Sequence, residues 1–429
     1  MAGDAAGARK AGGVNRWGQL AAGLVCMTMI ANLQYGWTLF VNPIAQKFHW
    51  GKADIQVAFS IFIATETWLV PIEGWFVDRY GPRWVVTIGG ALVALAWALD
   101  AVADSLFLLY LAAAIAGIGA AGVYGTCVAN ALKWFPDRRG LCAGITAGGF
   151  GAGAALTVVP ISAVIENFGY QSAFLWFGLG QGAVILVLAQ LLKAPDSDHA
   201  ARPAFRRHLS TTSLSPLQML QTPVFYVLFV MFVMVAASGL MVTAQLAPIA
   251  KDFKIDKLPV SFLFISSTVL TTALVVDNIL NGLARPFFGW VSDHVGRENT
   301  MAVVFLVGAA SYWWLASYGH EPAIFILSAG LIYFTWGEIY SLFPATCTDL
   351  YGAKHAATNS GLLYTAKGAA AWLVPLASLI KESTGSWTDV FTLATVMNVA
   401  VALAALFVLK PMRNARQRRI LAGVSQAAE

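Results

Sequence analysis

Twelve apolar segments, each of about 20 residues or more, follow one another along this chain. A segment of that length is long enough to cross a bilayer as an α-helix. Of the 429 residues, 58% are hydrophobic and 11% are charged, whereas soluble domains carry about 25% charged residues. The sequence therefore predicts an all-α membrane protein with twelve transmembrane helices. They begin near Trp17, Ile55, Trp84, Leu106, Leu141, Ser172, Val224, Val260, Thr300, Ala323, Ser360 and Val390.

The distribution of Lys and Arg predicts the orientation of these segments. With the N-terminus inside, 19 of the 27 Lys and Arg residues are cytoplasmic, 6 are external and 2 lie within the membrane. An excess of basic residues in cytoplasmic loops is the positive-inside rule, so we expect both termini in the cytoplasm. The same distribution explains the net charge of +5 without nucleic-acid binding. We expect a multi-pass protein of the inner (cytoplasmic) membrane that is surrounded by lipid and does not bind nucleic acid.

The two halves of the chain resemble one another. Each match runs in the same direction, so two six-helix bundles related by a pseudo-two-fold axis along the membrane normal are expected. The predicted bounds are 1–194 for the first bundle, 195–222 for a polar cytoplasmic linker, and 223–429 for the second bundle with its short basic tail. The matches pair Pro71–Gly81 with Pro286–Gly296 and Val159-Pro160 with Val374-Pro375, both offset by 215, and Pro43–Phe48 with Pro248–Phe253, offset by 205. The extra ten residues are expected before or within the eighth segment.

Two permanent cations lie inside segments that are otherwise apolar. Arg285 lies in residues 260–291 and Lys367 in residues 360–380. A charge at bilayer depth costs at least about 2.5–3.5 kcal/mol, and such residues usually face an interior cavity. Two fixed positive charges indicate that a small anion is moved. The alternative is that each cation only pairs with a buried carboxyl group such as Asp277 or Glu338.

The repeated motif also carries a family resemblance. It resembles the loop between helices 2 and 3 of the major facilitator superfamily, which implies two bundles around a central cavity that opens alternately to each side. Further segments are similar to the oxalate:formate antiporter family within it. The motif residues are Gly74, Asp78, Arg79 and Gly81, with a second copy at Gly289, Asp293 and Gly296; the family segments are Gln34-Tyr35-x-Trp37, Lys133-Trp134-Phe135-Pro136, Asn281-Gly-x-x-Arg285-Pro286 and Thr335-Trp336-Gly-x-x-Tyr340.

The resemblance implies roles for individual residues. Arg285 and Lys367 match the two cations that hold a dicarboxylate in that family. Aromatic and polar neighbours in the implied site are Tyr35, Tyr124, Trp336, Tyr340, Gln34 and Gln56. Phe150 and Tyr364 depart from the family pattern, since a Tyr and a Trp are expected there. The implied function is exchange of oxalate for formate.

Three acidic residues leave a second function open. Glu66, Asp277 and Glu338 stand where uncharged residues are expected, so each is a candidate for carrying a proton or balancing charge. The alternative function is a proton-coupled transporter of lactate-like monocarboxylates. An enzyme is not expected, because no nucleophile–base pair or metal-ligand spacing appears. The sequence predicts no cofactor and no metal, small carboxylate anions as ligands, and a monomer.

Overall fold

The computed structural model describes residues 15–135, 139–195, 214–262, 265–352 and 356–415. Apart from one pair of strands, the regular structure in these ranges is helical. In chain order the elements are α1 (Arg16–Tyr35), α2 (Thr38–Phe48), α3 (Lys52–Trp68), α4 (Val70–Tyr80), α5 (Pro82–Val102), α6 (Leu106–Trp134), α7 (Arg139–Ala152), α8 (Val158–Phe168), α9 (Tyr170–Ala189), α10 (Pro216–Leu220), α11 (Pro223–Asp252), β1 (Pro259–Phe262), β2 (Ile265–Thr268), α12 (Val269–Val295), α13 (Arg297–Tyr318), α14 (Pro322–Gly337), α15 (Ile339–Tyr351), α16 (Ala356–Ala371), α17 (Val374–Thr384) and α18 (Thr388–Ala404).

Most of the predicted spans are confirmed by length and composition. Within the described ranges, nine helical stretches are apolar and long enough to cross a membrane, and a tenth is added if α1 and α2, bent by 42°, form one span. The two remaining predicted spans are α3 with α4 and α12, which are helical but carry buried charged side chains such as Glu66 and Arg285. That these two helical stretches also cross the membrane, which the count of twelve requires, therefore stays a prediction.

The eighth span begins later than the sequence indicated. We expected it from about Val260, but β1 (Pro259–Phe262) and β2 (Ile265–Thr268) pair in antiparallel fashion with Val260 opposite Ser267, and the helix begins at Val269. Short apolar runs cannot be assigned to helix or strand from their periodicity alone. The connection before the eighth helix, between Asp252 and Val269, is longer than the one between Phe48 and Lys52 in the first half, so the extra residues lie before the eighth helix, one of the two expected placements.

Several spans are broken near the middle. Short interruptions of the helix separate α1 from α2 at Gly36, α3 from α4 at Leu69, α14 from α15 at Glu338, and α16 from α17 at Trp372 and Leu373. A proline follows two of these breaks, where its missing N–H and fixed φ suit the first turn of a new helix. Because helix ends leave backbone and side-chain groups unpaired, these breaks are where polar chemistry can be placed inside the protein.

Small residues bring the helices into close contact. A β-carbon added to Gly117 of α6 would collide with the Thr65 hydroxyl of α3, and one added to Gly119 would lie 2.8 Å from the Gly89 carbonyl oxygen of α5. The glycines of this helix are therefore packing contacts between helices. In the same way the two halves of the chain meet where α7 packs on α12, α3 on α16 and α17, and α2 on α11.

Hydrogen bonds join the two halves on the side that the charge distribution predicts to be external. The Thr38 hydroxyl accepts from the Ala247 N–H at 2.8 Å, and the Ser60 hydroxyl donates to the Ala371 carbonyl at 2.5 Å. Asp252 at the end of α11 lies 3.8 Å from the Lys52 ammonium of the other half and 3.7 Å from that of Lys381. These contacts hold the halves together at the predicted outer face.

The repeated loop motif lies at the ends of α4 and α12. Gly81 and Gly296 have φ of 81° and 94°, a region that favours glycine, and each donates its N–H to the last turn of the preceding helix. The backbone of the other motif residues is helical. The gate role of Gly74, Asp78, Arg79, Gly289 and Asp293 stays a prediction, because the side chains of Asp78, Arg79 and Asp293 lie outside the described part of the structure.

The predicted domain bounds also stay a prediction. Residues 196–213 of the linker lie outside the described ranges. Its last residues include α10, whose Ser215 forms a capping box with Gln218. This end of the linker is attached to the second half, because the Leu214 N–H donates to the Tyr351 carbonyl at 2.9 Å.

Candidate functional site

The two intramembrane cations face the same aromatic side chain. The Arg285 guanidinium carbon lies 4.8 Å from the centre of the Tyr340 ring, and the Lys367 ammonium nitrogen lies 5.6 Å from it. The two charges are therefore no farther apart than these distances combined. Arg285 is 4% exposed and Lys367 is completely buried. The structure thus brings both predicted cations, from α12 and α16, into one interior site.

Arg285 is held by neutral groups. Its NH1 donates to the Ala147 carbonyl oxygen at 2.9 Å, and its NH2 contacts the Tyr35 hydroxyl at 3.5 Å and the Asn281 amide oxygen at 3.4 Å. Its Nε has no hydrogen-bond partner among the described residues. Because a guanidinium has five N–H donors, groups on Arg285 remain for a planar anion.

The contact with Ala147 depends on close packing of α7 against α12. A β-carbon on Gly151 would lie 3.1 Å from the Gly282 α-carbon, and one on Gly282 would lie 2.7 Å from the β-carbon of Ala152. Small residues on both helices therefore let the backbones approach each other. Since Gly282 precedes Arg285 on the same helix, the approach brings a carbonyl of the first half within reach of the guanidinium.

Lys367 is held by a carboxylate. Its ammonium lies 2.8 Å from Glu66 Oε2, donates to Gln34 Oε1 at 2.9 Å and contacts the Tyr364 hydroxyl at 3.5 Å. The side chains of Lys367 and Glu66 are 0% and 2% exposed. Glu66 lies near the end of α3 and Lys367 near the end of α16, so the ion pair joins the two halves of the chain. Of the three candidate acidic residues, Glu66 is the one that pairs with a cation.

Six aromatic side chains next to the cations form a closed ring of contacts, called here the aromatic cage. Each contacts the next, and the last contacts the first, with ring centres 5.3–6.4 Å apart. The order around this aromatic cage is Tyr35, Trp336, Tyr340, Tyr364, Tyr124 and Phe150. Tyr35, Tyr124, Trp336 and Tyr340 were named from the sequence as site residues. Phe150 and Tyr364, the two departures from the family pattern, complete the cage.

Gln56 has a different environment from the one implied by the resemblance. Its amide oxygen accepts from the Trp37 indole at 3.1 Å, and its amide nitrogen donates to the Ala244 carbonyl at 2.8 Å. Both ends of the side chain are therefore engaged, and the amide nitrogen joins α3 to α11 of the other half. Gln34, in contrast, lies at the site on the Lys367 ammonium.

Asp277 and Glu338 are buried, and all four of their carboxyl oxygens lack a hydrogen-bond partner among the described residues. Asp277 faces α14, since a β-carbon on Gly330 would lie 3.8 Å from its Oδ1. Glu338 lies at the break between α14 and α15. Neither residue therefore pairs with Arg285 or Lys367: Lys367 pairs with Glu66, and Arg285 contacts neutral groups.

Sequence reasoning missed how the polar groups are arranged around the cations. Asn281 belongs to one of the segments that carry the family resemblance, and it bridges Arg285 and Tyr35, whose hydroxyl donates to Asn281 Oδ1 at 3.2 Å. The Ala147 carbonyl carries no side-chain signal, although the glycines around it indicate a close approach. The pairing of Glu66 with Lys367 spans the two halves and has no local signal in the sequence.

Comparison with known proteins identifies the family of the chain. The family model of the Major Facilitator Superfamily matches residues 24–375. The oxalate:formate antiporter of Oxalobacter formigenes is 33% identical over 402 residues, which cover 93% of this chain and 92% of that protein. Monocarboxylate transporter 12 of Homo sapiens is 25% identical over 357 residues, covering 77% of this chain and 68% of that protein. The chain therefore belongs to the major facilitator superfamily, in the family of the oxalate:formate antiporter.

Proposed function

We propose that this transporter exchanges oxalate for formate across the inner membrane by alternating access, as a monomer with both termini in the cytoplasm. The observation that carries the proposal is the placement of Arg285 and Lys367 over one ring, Tyr340, inside the aromatic cage. The relative from Oxalobacter formigenes supports the choice of anions by its name. The proposed anion-binding residues are Arg285, Lys367, Gln34 and the cage residues.

Oxalate is a stiff dianion with one carboxylate at each end, so each of the two cations can bind one carboxylate. The guanidinium of Arg285 offers a planar fork to one carboxylate, and its Nε is free of partners in the described structure. The ammonium of Lys367 is a compact charge suited to the other end. Tyr35, Phe150 and Trp336 of the cage are buried, and apolar walls of this kind with a few polar groups suit a small anion.

Exchange, as opposed to one-way transport, follows from the cost of burying charge. A carrier that returns without an anion must bury the Arg285 guanidinium without a carboxylate, which costs several kcal/mol even after relaxation. A bound anion removes that cost on both the forward and the return step. The unloaded carrier is therefore expected to return slowly.

The test is counterflow in liposomes that contain the purified protein. Labelled oxalate is added outside, and the liposomes contain oxalate, formate, lactate or no anion. We expect rapid uptake against internal oxalate or formate, and slow uptake into liposomes without an anion. Equal uptake into anion-free liposomes would contradict exchange, and exchange of lactate alone would contradict the choice of anions.

A second candidate, a proton-coupled monocarboxylate transporter, is favoured by one observation. Glu66 pairs with Lys367 and so reduces the positive charge available to an anion. The similarity to monocarboxylate transporter 12 is in keeping with this candidate. Uptake of labelled lactate driven by a pH gradient, with no anion inside, would establish it in place of exchange.

A further inference from the structure

The two cations of the site differ in how far their N–H donors are already engaged. The Lys367 ammonium has three N–H donors, and it contacts three oxygens: Glu66 Oε2 at 2.8 Å, Gln34 Oε1 at 2.9 Å and the Tyr364 hydroxyl at 3.5 Å. The Nε of Arg285, in contrast, has no hydrogen-bond partner among the described residues. An entering anion therefore finds a free donor at Arg285, whereas at Lys367 it meets a carboxylate that is already in place.

Glu66 also changes the charge of the site. Its side chain is 2% exposed and its carboxylate lies 2.8 Å from the Lys367 ammonium, so it cancels one of the two positive charges that Lys367 and Arg285 bring. A fixed negative charge repels a dianion about twice as strongly as a monoanion at the same distance, because the Coulomb energy is proportional to the charge of the ligand. The repulsion from Glu66 therefore acts more strongly against dianions than against monoanions.

A dianion must in addition compete with Glu66 for its partner. Formate has one carboxylate, which Arg285 can bind while the pair of Glu66 and Lys367 stays intact. Oxalate has a second carboxylate, which gains the Lys367 ammonium only by weakening or displacing the contact with Glu66. Because both side chains are buried, a carboxylate that loses this ammonium is left without compensation. A repulsive element that opposes one ligand and spares another is a source of specificity.

We propose, resting on the proposed function, that Glu66 is a specificity-determining residue that lowers the affinity for dianions more than the affinity for monoanions. It acts as a fixed negative charge at the Lys367 end of the site. Glu66 stands where an uncharged residue is expected, so the charge is a feature of this chain. The preference of this transporter for oxalate over formate is then smaller than two unopposed cations would give.

The test is equilibrium binding to the purified protein, with labelled oxalate displaced by unlabelled oxalate, formate or oxamate. Oxamate has an amide in place of one carboxylate of oxalate, so the two differ mainly in charge. For Glu66→Gln we expect the affinity for oxalate to rise at least about tenfold and that for the monoanions no more than about threefold, since half the charge gives the square root of the factor. Glu66→Asp keeps the charge, and Asp54→Asn removes an exposed carboxylate about 18 Å away along the same helix, so both should keep the wild-type ratio of affinities.

Two results with Glu66→Gln would overturn the inference. An equal change of affinity for oxalate and oxamate would show that Glu66 does not discriminate by charge, and a loss of affinity for both would leave it only a structural role. The wild type is a further test if Glu66→Gln does not fold. We expect it to bind oxamate within about tenfold of oxalate, whereas an unopposed second charged pair would favour oxalate by about 100-fold or more and so contradict the role of Glu66. A wild type that binds neither oxalate nor formate would instead contradict the proposed function.

Discussion

Removing the charge of Lys367 should destabilise the protein more than removing a lysine from its surface. In Lys367→Met the Glu66 carboxylate loses an ammonium at 2.8 Å while both positions stay buried. Breaking a buried ion pair by removing one partner costs about 3–5 kcal/mol, because the other charge is left without compensation. The control is Lys381→Met, whose ammonium lies 3.7 Å from Asp252 with 25% of its side chain exposed. An exposed pair of this kind contributes about 0–1 kcal/mol.

The double variant separates stability from transport. In Lys367→Met with Glu66→Gln neither charge is left, so most of the lost free energy of unfolding should return, with an interaction energy of about 2 kcal/mol or more. Transport of oxalate should not return, because one of the two cations is still missing. Denaturant titration in mixed micelles measures stability, and counterflow measures transport. A Lys367→Met protein as stable as Lys381→Met, or a double variant no more stable than the single one, would refute this reasoning.

Four further predictions test other parts of the structure. Arg285→Lys keeps the charge but loses the planar fork, so the KM for oxalate should rise about 10- to 100-fold, which follows from losing one or two charged hydrogen bonds; an unchanged KM would contradict a direct contact. Tyr340→Leu removes the ring that both cations face and should raise the KM at least about tenfold, whereas Tyr340→Phe keeps the ring and should stay within about twofold. Gly117→Ala should lower the free energy of unfolding by about 1–3 kcal/mol because its β-carbon meets Thr65, while Gly125→Ala, which has open space, should not; equal stability of the two would argue against the close helix contact. Asp252→Asn should favour opening at the predicted outer face and change the KM for external oxalate by no more than about fivefold, since the side chains of its ion pairs are 25–30% exposed; a larger change would give the Asp252 ion pairs a greater role.

The cations of the site could be predicted from the sequence because their signal is local. Arg285 and Lys367 each interrupt an apolar segment, and a charged side chain within a membrane-spanning segment usually faces the interior of the protein because exposure to lipid is costly. The change in offset between the two copies of the repeat also predicted ten extra residues, because an offset is found by comparing positions along the chain and does not depend on how the helices pack. Burial and the shared Tyr340 ring then agree with the expectation from the sequence.

The partners of those cations could not be predicted, because they depend on how the two halves pack. Glu66 meets Lys367 only through the contact of α3 with α16, and the Ala147 carbonyl meets Arg285 only through the contact of α7 with α12. Gln56 shows the same limit, since packing against α11 brings it to Ala244. The predicted start of the eighth helix near Val260 was wrong for a different reason: a short apolar run fits a strand as well as a helix, and Val260 lies in β1.

The central claim is that Arg285 and Lys367 bind the same anion, and equilibrium binding of labelled oxalate to the purified protein tests it most directly. The measurement is made in the Glu66→Gln background, where neither substitution leaves an ionised Glu66 without its partner. We expect Arg285→Gln and Lys367→Gln each to weaken binding by about 100-fold or more, in line with the loss of a charged pair. Unchanged affinity in either variant would show that the two cations do not share one anion.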